Sequence, residues 1–214
     1  MTRLQDIAEI LPGFSTGSAL EHHIAGTHQV VLSKHLQPGL PYSYSNADEF
    51  RIQPLAEGET KAGSDSRLRN TTRYELRAGD VLFMSRGTRN LATRLAVVPS
   101  PSIAPVSFFV LRPKSTDALD PGYLTWYLNS APTQNDIANI RTGAATPIVQ
   151  RSGFQELAIP VPDMATQRQI GDLSEMMMRE SQMHEQLTAA VVKSHEAINT
   201  GIRQHLLAAA NTPT

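Results

Sequence analysis

The feature that most constrains this fold is a long proline-free run near the C-terminal end of the sequence. From residue 163 to 212 the chain contains no proline and only two glycines, and residues with high helix propensity dominate. Two prolines, Pro160 and Pro162, come directly before this run. Asp163 is a suitable N-cap. The pattern therefore predicts a strand over residues 156–161 that ends at the prolines, followed by a long helix.

Apolar side chains recur along the predicted helix at intervals of three and four residues. They are Ile170, Leu173, Met177, Leu187, Val191, Ile198, Ile202 and Leu206. The intervals fail near residues 180–184, so the pattern is not a regular heptad coiled coil. A helix of about 45 residues is about 65 Å long, which is longer than a domain of the preceding residues is wide. The sequence favours a projecting helix that binds a partner through these residues. Two antiparallel helices folded against the domain are the alternative.

The remaining residues, 1–162, are predicted to form one domain of short helices and strands. Apolar spacing predicts a short amphipathic helix over 3–11, and residues 37–72 are polar and rich in Gly, Pro and Ser, which predicts mostly loop. Strands are predicted over 28–36, 72–77, 80–85, 92–98 and 104–112. Asp120 and Pro121 have the N-cap and N1 signature of a helix over 121–130, and a second helix is predicted from Pro132 to about Ile140. The predicted class is α+β, with a mixed or antiparallel sheet in residues 1–162 and a helix over 163–210.

Charge is unevenly distributed along the chain. The formal net charge is −1, which by itself argues mildly against nucleic acid as a partner. Residues 51–94, however, contain nine basic and five acidic side chains, and eight of the nine are arginine. The planar guanidinium suits phosphates and guanine edges. This local excess of four positive charges indicates either a nucleic-acid surface or a solvated charged face.

Two loops within this basic region are the candidates for DNA contact, namely residues 64–73 and 84–94. They combine arginine with Asn, Ser and Thr, whose side chains pair with base edges. Together with two residues of a third loop, the candidates are Arg67, Arg69, Asn70, Arg73, Ser85, Arg86, Thr88, Arg89, Asn90, Arg94, Arg141 and Thr142. Tyr123, Trp126 and Tyr127 provide aromatic rings that could stack on bases, but their helical spacing favours a place in the core.

Motifs for catalysis and metal binding are sparse. The sequence has no cysteine, which excludes disulfides and thiolate metal sites. There is no Gly-Lys pair, as a Walker A loop requires, and no H-E-x-x-H. Asp48, Glu59 and Lys61 imitate part of a metal-dependent nuclease core, although Glu59 and Lys61 lie in a loop sequence. We therefore predict no catalytic residue and no metal site on this chain.

The expected location is the cytoplasm. The first residues include Asp6 and lack an apolar h-region, so they do not resemble a signal peptide. The sequence contains no apolar run of about 18 residues, the length that a membrane span requires.

Several stretches resemble the target-recognition repeat of type I restriction-modification DNA specificity subunits. They are LRAGDVLFMSRG, DPGYLTWYLNS and RTGAATPIVQRSGFQELAIPVPDMATQRQI, while LQDIAEILPG and IRQHLLAAA are similar to the start and end of that repeat. The order of these stretches along the chain carries the resemblance more than any single one. Family members usually have two recognition domains and two conserved helices, whereas this chain has one of each. Its loop after Gly143 also has Ala144 and Ala145 in place of the family's usual polar residue.

The resemblance implies a half-length, non-catalytic specificity subunit that binds double-stranded DNA and forms a homodimer on a bipartite site. Its implied partner is an adenine methyltransferase subunit, which binds S-adenosylmethionine and flips the target base; no cofactor is expected on this chain. A nuclease or translocase subunit is a further implied partner in complexes that cleave DNA. Two alternatives are a metal-dependent nuclease and a helix-mediated interaction module without a role on DNA.

Overall fold

A computed structural model describes residues 1–15, 22–37, 39–52, 72–143 and 145–210, with side chains as far as Leu207. These residues form two compact units, Met1–Glu175 and Met176–Thr214. The first unit contains sheets and short helices, so the α+β prediction is confirmed. The second unit is the continuation of a long C-terminal helix. The predicted domain boundary between residues 162 and 163 stays a prediction.

The secondary structure elements are short apart from the last helix. The strands are β1 (Thr2–Arg3), β2 (Ala8–Pro12), β3 (His28–Val30), β4 (Tyr42–Ser43), β5 (Arg51–Ile52), β6 (Val81–Met84), β7 (Ala92–Val97), β8 (Ser102–Ile103), β9 (Phe108–Pro113), β10 (Arg141–Thr142), β11 (Ile148–Val149) and β12 (Ala158–Ile159). The helices are α1 (Leu4–Ile7), α2 (Pro121–Asn129), α3 (Ala131–Asn139), α4 (Arg151–Gln155) and α5 (Met164–Ala210). Among the described residues, none of these helices has the length and apolar content needed to cross a bilayer.

The main sheet has five strands in the order β2-β9-β6-β7-β4. Its neighbours are antiparallel except β4 and β7, which are parallel. Val81, Leu82 and Phe83 of β6 are all buried, because this strand is covered on both faces. Val81 and Phe83 pack on the side of α2 and α4, whereas Leu82 packs against residues such as Val31 on the other side. The three-stranded sheet β5-β3-β8 contributes Val30, Ile52 and Ile103 to a separate apolar cluster.

A buried ion pair stabilises the end of β6 opposite its loop to β7. Asp80 accepts hydrogen bonds from the Nε and Nη2 atoms of Arg112 at 2.8 and 2.7 Å, and from the backbone N–H of Arg77 at 2.8 Å. The hydrogen bonds to Asp80 are the largest cause of a raised pKa for the Arg112 guanidinium. Arg112 therefore serves the fold and is held away from any ligand.

Two sequence predictions in the first unit were wrong. Residues 3–11 form one turn of helix, α1, followed by strand β2, because Ala8 and Ile10 are buried with exposed Glu9 between them, and pairing with β9 fits this alternation. Residues 72–77 form no strand; Thr72–Tyr74 is a 3₁₀ turn. The expected pairing of 72–77 with β6 is replaced by pairing of β6 with β7 and β9. The predicted strand over 28–36 is shorter, since Ser33–His35 forms another 3₁₀ turn.

The helix predictions from capping signals are confirmed. The Asp120 carboxylate accepts a hydrogen bond from the backbone N–H of Tyr123 at 2.8 Å, as expected of an N-cap. Asp163 does the same for Thr166 at 2.9 Å, and α5 begins at the next residue, Met164. These hydrogen bonds lower the pKa of the Asp163 carboxyl. Helix α5 then continues through residues 180–184 and Gly201 without a break, so the alternative of two antiparallel helices is not the one adopted.

Gln167 fixes the first turns of α5 to the first unit. Its side chain is completely buried. The Oε1 atom accepts from the backbone N–H of Asp120 at 2.9 Å, and Nε2 donates to the carbonyls of Ala118 and Pro162 at 3.0 and 2.8 Å. One turn later, Gly171 lies so close to α2 that a Cβ atom there would be 3.0 Å from the backbone N of Tyr123. The hydrogen bonds of the Gln167 side chain and the close approach of Gly171 to α2 together fix the position of the N-terminal end of α5.

Replacement of Gln167 by alanine is expected to lower the free energy of unfolding by about 2 kcal/mol, because three buried backbone groups lose their hydrogen-bond partner. Chemical denaturation of the full chain measures the change. Gln169→Ala, at an exposed position of the same helix, is the matched control and is expected to change stability by less than about 0.5 kcal/mol. Equal effects of the two substitutions would contradict the assigned role of Gln167.

Candidate nucleic-acid interface

Two loops that lie far apart in the sequence meet at the end of the main sheet where β6 connects to β7. One is the 85–91 loop between β6 and β7, and the other consists of Gly143 and residues 145–147, between β10 and β11. The backbone N–H of Gly87 donates to the Pro147 carbonyl at 2.8 Å, and that of Val149 donates to the Ser85 carbonyl at 2.8 Å. The two loops therefore form a single surface. We call its exposed or half-buried polar residues, Arg86, Thr88, Arg89, Arg141 and Thr142, the arginine edge.

Glycine shapes both turns at this edge. Gly87 and Gly143 have φ values of 98° and 92°, in the left-handed region that other residues rarely adopt. A Cβ atom on Gly143 would also lie 2.9 Å from the Thr146 carbonyl oxygen. These positive φ values let the backbone reverse direction within a short connection at Gly87 and at Gly143.

Ser85 and Asn90 are buried beneath the arginine edge and hold the 85–91 loop in place, which corrects their predicted role in contacting DNA. Each is only 2% exposed. The Ser85 hydroxyl donates to the Ser107 carbonyl at 2.9 Å, and the Asn90 amide donates to the Met84 carbonyl at 2.9 Å. Because their polar groups are engaged within the fold, both residues position the loop and are not available to a ligand.

Arg141 links the two loops. Its Nη1 atom donates to the Thr88 carbonyl at 3.2 Å and is 3.4 Å from the Asn90 Oδ1. Thr142, its neighbour, accepts a hydrogen bond from the Gln150 side chain at 2.6 Å. Arg141 therefore orients the 85–91 loop while keeping donors that these contacts do not use.

Arg86, Thr88 and Arg89 are exposed at the tip of the edge. Within the part of the chain that the structure describes, neither arginine has a carboxylate partner. The sequence around them explains why: residues 81–116 and 137–155 contain no aspartate or glutamate. Arg151, exposed at the start of α4, adds another positive charge to these acid-free stretches. It was missed by our sequence prediction, and the absence of acids around it was the available signal.

The other predicted DNA-contacting residues do not join the arginine edge. Arg94 is paired with Glu175 of α5 through a 2.7 Å contact between Nη2 and Oε2, which holds its side chain against α5, and its role in contacting DNA stays a prediction. The guanidinium of Arg73 lies 5.2 Å from the centroid of the Tyr74 ring, on a different turn. The remaining three, Arg67, Arg69 and Asn70, lie outside the described residues.

The aromatic residues of α2 are mainly structural. Tyr123 is buried and its hydroxyl donates to the Pro160 carbonyl at 2.5 Å, while the Tyr127 hydroxyl donates to that of Ala158 at 2.9 Å. Burial raises the pKa of Tyr123. Trp126 is more than a third exposed. These contacts favour the core interpretation over base stacking.

The residues considered for a nuclease centre are not assembled in the described part of the chain. Asp48 accepts hydrogen bonds from the backbone N–H and hydroxyl of Ser45 at 3.3 and 3.2 Å and thereby caps a 3₁₀ turn. Glu59 and Lys61 lie outside the described residues. Among the residues that are described, no group of three His, Asp or Glu side chains is close enough to hold a metal ion.

A second candidate surface lies on α5. Of the residues predicted to form a helix interface, Ile170 packs against the core of the first unit and is corrected to a core residue. The others, Leu173, Met177, Leu187, Val191, Ile198, Ile202 and Leu206, are each at least 44% exposed. Further exposed apolar residues that the prediction omitted include Met176, Met183, Val192 and Leu207.

No curated protein sequence matches the chain. Among solved structures, the chain is similar to an S subunit of a type I restriction-modification system from M. genitalium, with 14% identity, a TM-score of 0.48, and coverage of 80% of this chain and 37% of that one. It is also similar to an HsdS subunit from Thermoanaerobacter tengcongensis, with 16% identity, a TM-score of 0.56, and coverage of 87% and 38%.

A third structure comes from work on complex assembly and conformational transition of the type I restriction-modification system. It has 16% identity, a TM-score of 0.62, and coverage of 94% of this chain and 43% of that one. This chain thus spans less than half the length of each of these solved proteins, and at these identities the likeness concerns the fold. A family model described as the type I restriction modification DNA specificity domain matches residues 36–192. This match covers most of the chain, which therefore belongs to the family of type I restriction-modification DNA specificity domains.

Proposed function

We propose that this chain is a non-catalytic DNA specificity subunit that reads one half-site of a bipartite target through the arginine edge. The observation that carries the proposal is the union of two acid-free loops into one surface with exposed arginines, on a chain of a DNA specificity family. Arginine matches the paired acceptors of guanine in the major groove and also binds phosphates. A specificity subunit requires both kinds of contact.

The proposed roles follow from how each side chain is held. Arg86 and Arg89 are exposed on a loop anchored at both ends by β6 and β7, so each guanidinium is free to reach a base edge or a phosphate. Thr88 and Thr142 present a hydroxyl and a methyl group, which suit phosphates and the thymine methyl. Arg141 keeps the two loops at a fixed separation.

Methyl transfer belongs, in this proposal, to a partner adenine methyltransferase subunit that carries S-adenosylmethionine. That subunit would flip the target adenine out of the duplex, as enzymes that modify bases do. A nuclease or translocase subunit is proposed as a further partner in a complex that also cleaves DNA. The proposed location is the cytoplasm, where the host DNA lies.

A second copy of the chain is proposed to supply the second half-site. One recognition domain reads few base pairs, which is too little to select rare sites in a genome. Two-fold symmetry makes the same patch of both copies meet, so the expected target is a palindrome with an unread centre.

Binding to duplex DNA in the presence of the methyltransferase tests the proposal. The logarithm of the association constant is expected to fall linearly with the logarithm of salt concentration, because phosphate contacts release counterions. Sequencing of methylated bases in cells that carry both genes is expected to reveal a palindromic, interrupted motif. An asymmetric motif, or no sequence preference with the methyltransferase bound, would contradict the proposal.

A further inference from the structure

Two side-chain amides from α2 and α3 hold the segment that follows Arg89 in the 85–91 loop. Asn129, the last residue of α2, binds both backbone groups of Ala92. Its Oδ1 atom accepts from the Ala92 N–H at 2.8 Å, and its Nδ2 atom donates to the Ala92 carbonyl at 2.9 Å. Gln134 of α3 donates from Nε2 to the Asn90 carbonyl at 2.8 Å. Both amides thus fix the exit of the loop from a distant part of the sequence.

The Asn129 side chain takes the place of a strand beside β7. Ala92 lies opposite Phe83 of β6 in a pair whose backbone groups do not bond to each other, so the N–H and carbonyl of Ala92 point away from β6. On that side, β4 pairs with β7 at Leu95 and Val97 and does not reach Ala92. The carboxamide of Asn129 supplies the acceptor and the donor that a neighbouring strand would supply, and this keeps the start of β7 in place.

Gln134 acts on the residue next to Arg89. The same Nε2 atom that binds the Asn90 carbonyl also donates to the Leu128 carbonyl at 2.6 Å, so it joins the end of α2 to the loop. Asn90 is 2% exposed, whereas Arg89 is exposed. The chain therefore passes from solvent into the protein within one residue, and the site that holds Asn90 decides where Arg89 emerges.

Helix α2 is also fixed at its other end. The Asp120 N–H donates to the Gln167 side chain of α5, and Gly171 of α5 approaches the backbone of Tyr123. Helix α2 has nine residues, which corresponds to about 13 Å at 1.5 Å per residue. One short helix thus connects the first turns of α5 with the exit of the 85–91 loop, where Asn129 binds β7.

We propose that Asn129 and Gln134 are positioning residues for sequence reading, which hold Arg89 where its guanidinium meets a base edge. The inference rests on the proposed function, because it concerns the same DNA-reading surface. A guanidinium binds the two acceptors of guanine only when its plane and position match them, whereas a phosphate contact carries no sequence information. Loss of the two amides is therefore expected to reduce discrimination between sequences more than it reduces the general attraction to DNA.

Asn129→Ala and Gln134→Ala, each in the full chain assembled with the methyltransferase, test the proposal. Affinity is measured for the target duplex and for a duplex of unrelated sequence. The ratio of the two affinities is expected to fall about tenfold in each variant, because a well-placed pair of hydrogen bonds discriminates between bases by about this factor or more. Affinity for the unrelated duplex and its salt slope are expected to stay unchanged, since no positive charge is removed. An unchanged ratio in both variants would overturn the proposal.

Thr133→Ala is the matched control on α3. Thr133 is 2% exposed and accepts a hydrogen bond from the Ser130 hydroxyl at 3.0 Å. Its replacement removes a buried hydrogen bond beside Gln134 without touching the 85–91 loop, so thermal stability is expected to fall while the affinity ratio stays the same. If Thr133→Ala lowers the ratio as much as Gln134→Ala does, then general loosening of the two helices explains the effect and the positioning role is refuted.

A double-mutant cycle with Arg89 separates positioning from a purely structural role. In the Arg89→Ala background, Gln134→Ala is expected to cause no further loss of the affinity ratio, because the side chain that it positions is already absent. Fully additive losses would contradict the proposal.

The positioning role and the proposed function fail in different ways. If Arg89→Ala lowers the ratio while Asn129→Ala and Gln134→Ala do not, then the positioning role falls and the function stands. If the Arg86 and Arg89 double variant binds the target as the unchanged chain does, then the DNA-reading function of the arginine edge falls, and the positioning role falls with it.

Discussion

Replacement of both Arg86 and Arg89 by alanine is expected to lower affinity for the target duplex by about 10²- to 10⁴-fold. Each arginine in contact with DNA contributes about 1–3 kcal/mol, and these two are the exposed arginines of the 85–91 loop. The measurement is a titration of labelled duplex with the assembled methyltransferase complex at fixed salt. Single variants then separate the two roles. Loss of a base contact relaxes specificity at one position, whereas loss of a phosphate contact weakens all sequences alike and lowers the salt slope by about one.

Arg77→Ala is the matched control for this pair of substitutions. Arg77 is also exposed, but it lies beside Asp80 at the other end of β6 from the 85–91 loop. Its replacement removes one positive charge far along the strand from the arginine edge and is expected to change affinity by less than about threefold. A loss at Arg77 as large as that of the double variant, or unchanged affinity in the double variant, would show that the arginine edge does not contact DNA.

The parts of this fold that sequence predicts well are those fixed by local chemistry. Asp120 with Pro121 and Asp163 before α5 begin helices because a carboxylate accepts the free N–H groups of the first turn. Strand β6 is predictable because residues 81–84 form a short apolar run, which is typical of a strand that is buried on both faces. The sequence signals that predict these elements lie within a few residues of the elements themselves.

Errors arose where a distant segment decides the local structure. Residues 3–11 have both helical and alternating apolar spacing, and the alternation prevails only because β9 offers a partner for β2. In residues 72–77, Leu76 is buried and its backbone N–H donates to the Ser102 carbonyl, so the segment is held without forming a strand. Neither partner is visible from the segment itself.

In the candidate site, too, some features follow from the local sequence and others depend on distant segments. That the 85–91 loop carries polar and basic side chains was predictable from its composition and from the strand before it. That Ser85 and Asn90 point inward, and that Arg94 is held by Glu175, depends on tertiary contacts with other segments. Proximity of the 85–91 loop to Arg141 likewise follows from the pairing of Arg86 with Ile148, which sequence spacing does not reveal.

Replacement of Val191 and Ile198 by aspartate is expected to abolish the homodimer, with an increase in its dissociation constant of more than about 10³-fold. Both side chains are exposed on α5, so a two-fold dimer that pairs through this face of the helix would bury four carboxylates without partners in the double variant. Each lost apolar contact costs about 1–2 kcal/mol, and each desolvated charge adds to the loss. The thermal unfolding of the first unit is expected to stay unchanged, because Val191 and Ile198 belong to the second unit.

Ala189→Asp with Thr200→Asp is the control for this double variant. Both residues are exposed on α5, but they lie on the helix face opposite Val191 and Ile198. The same number of charges is therefore added to the same helix, and the dimer is expected to survive. Sedimentation measures assembly, and methylation in cells measures its consequence. The Val191 and Ile198 double variant should lose modification of the bipartite site, while the control should keep it. If both variants dissociate equally, then helix destabilisation and not contact through Val191 and Ile198 accounts for the loss. If neither dissociates, then the two copies meet through a different surface.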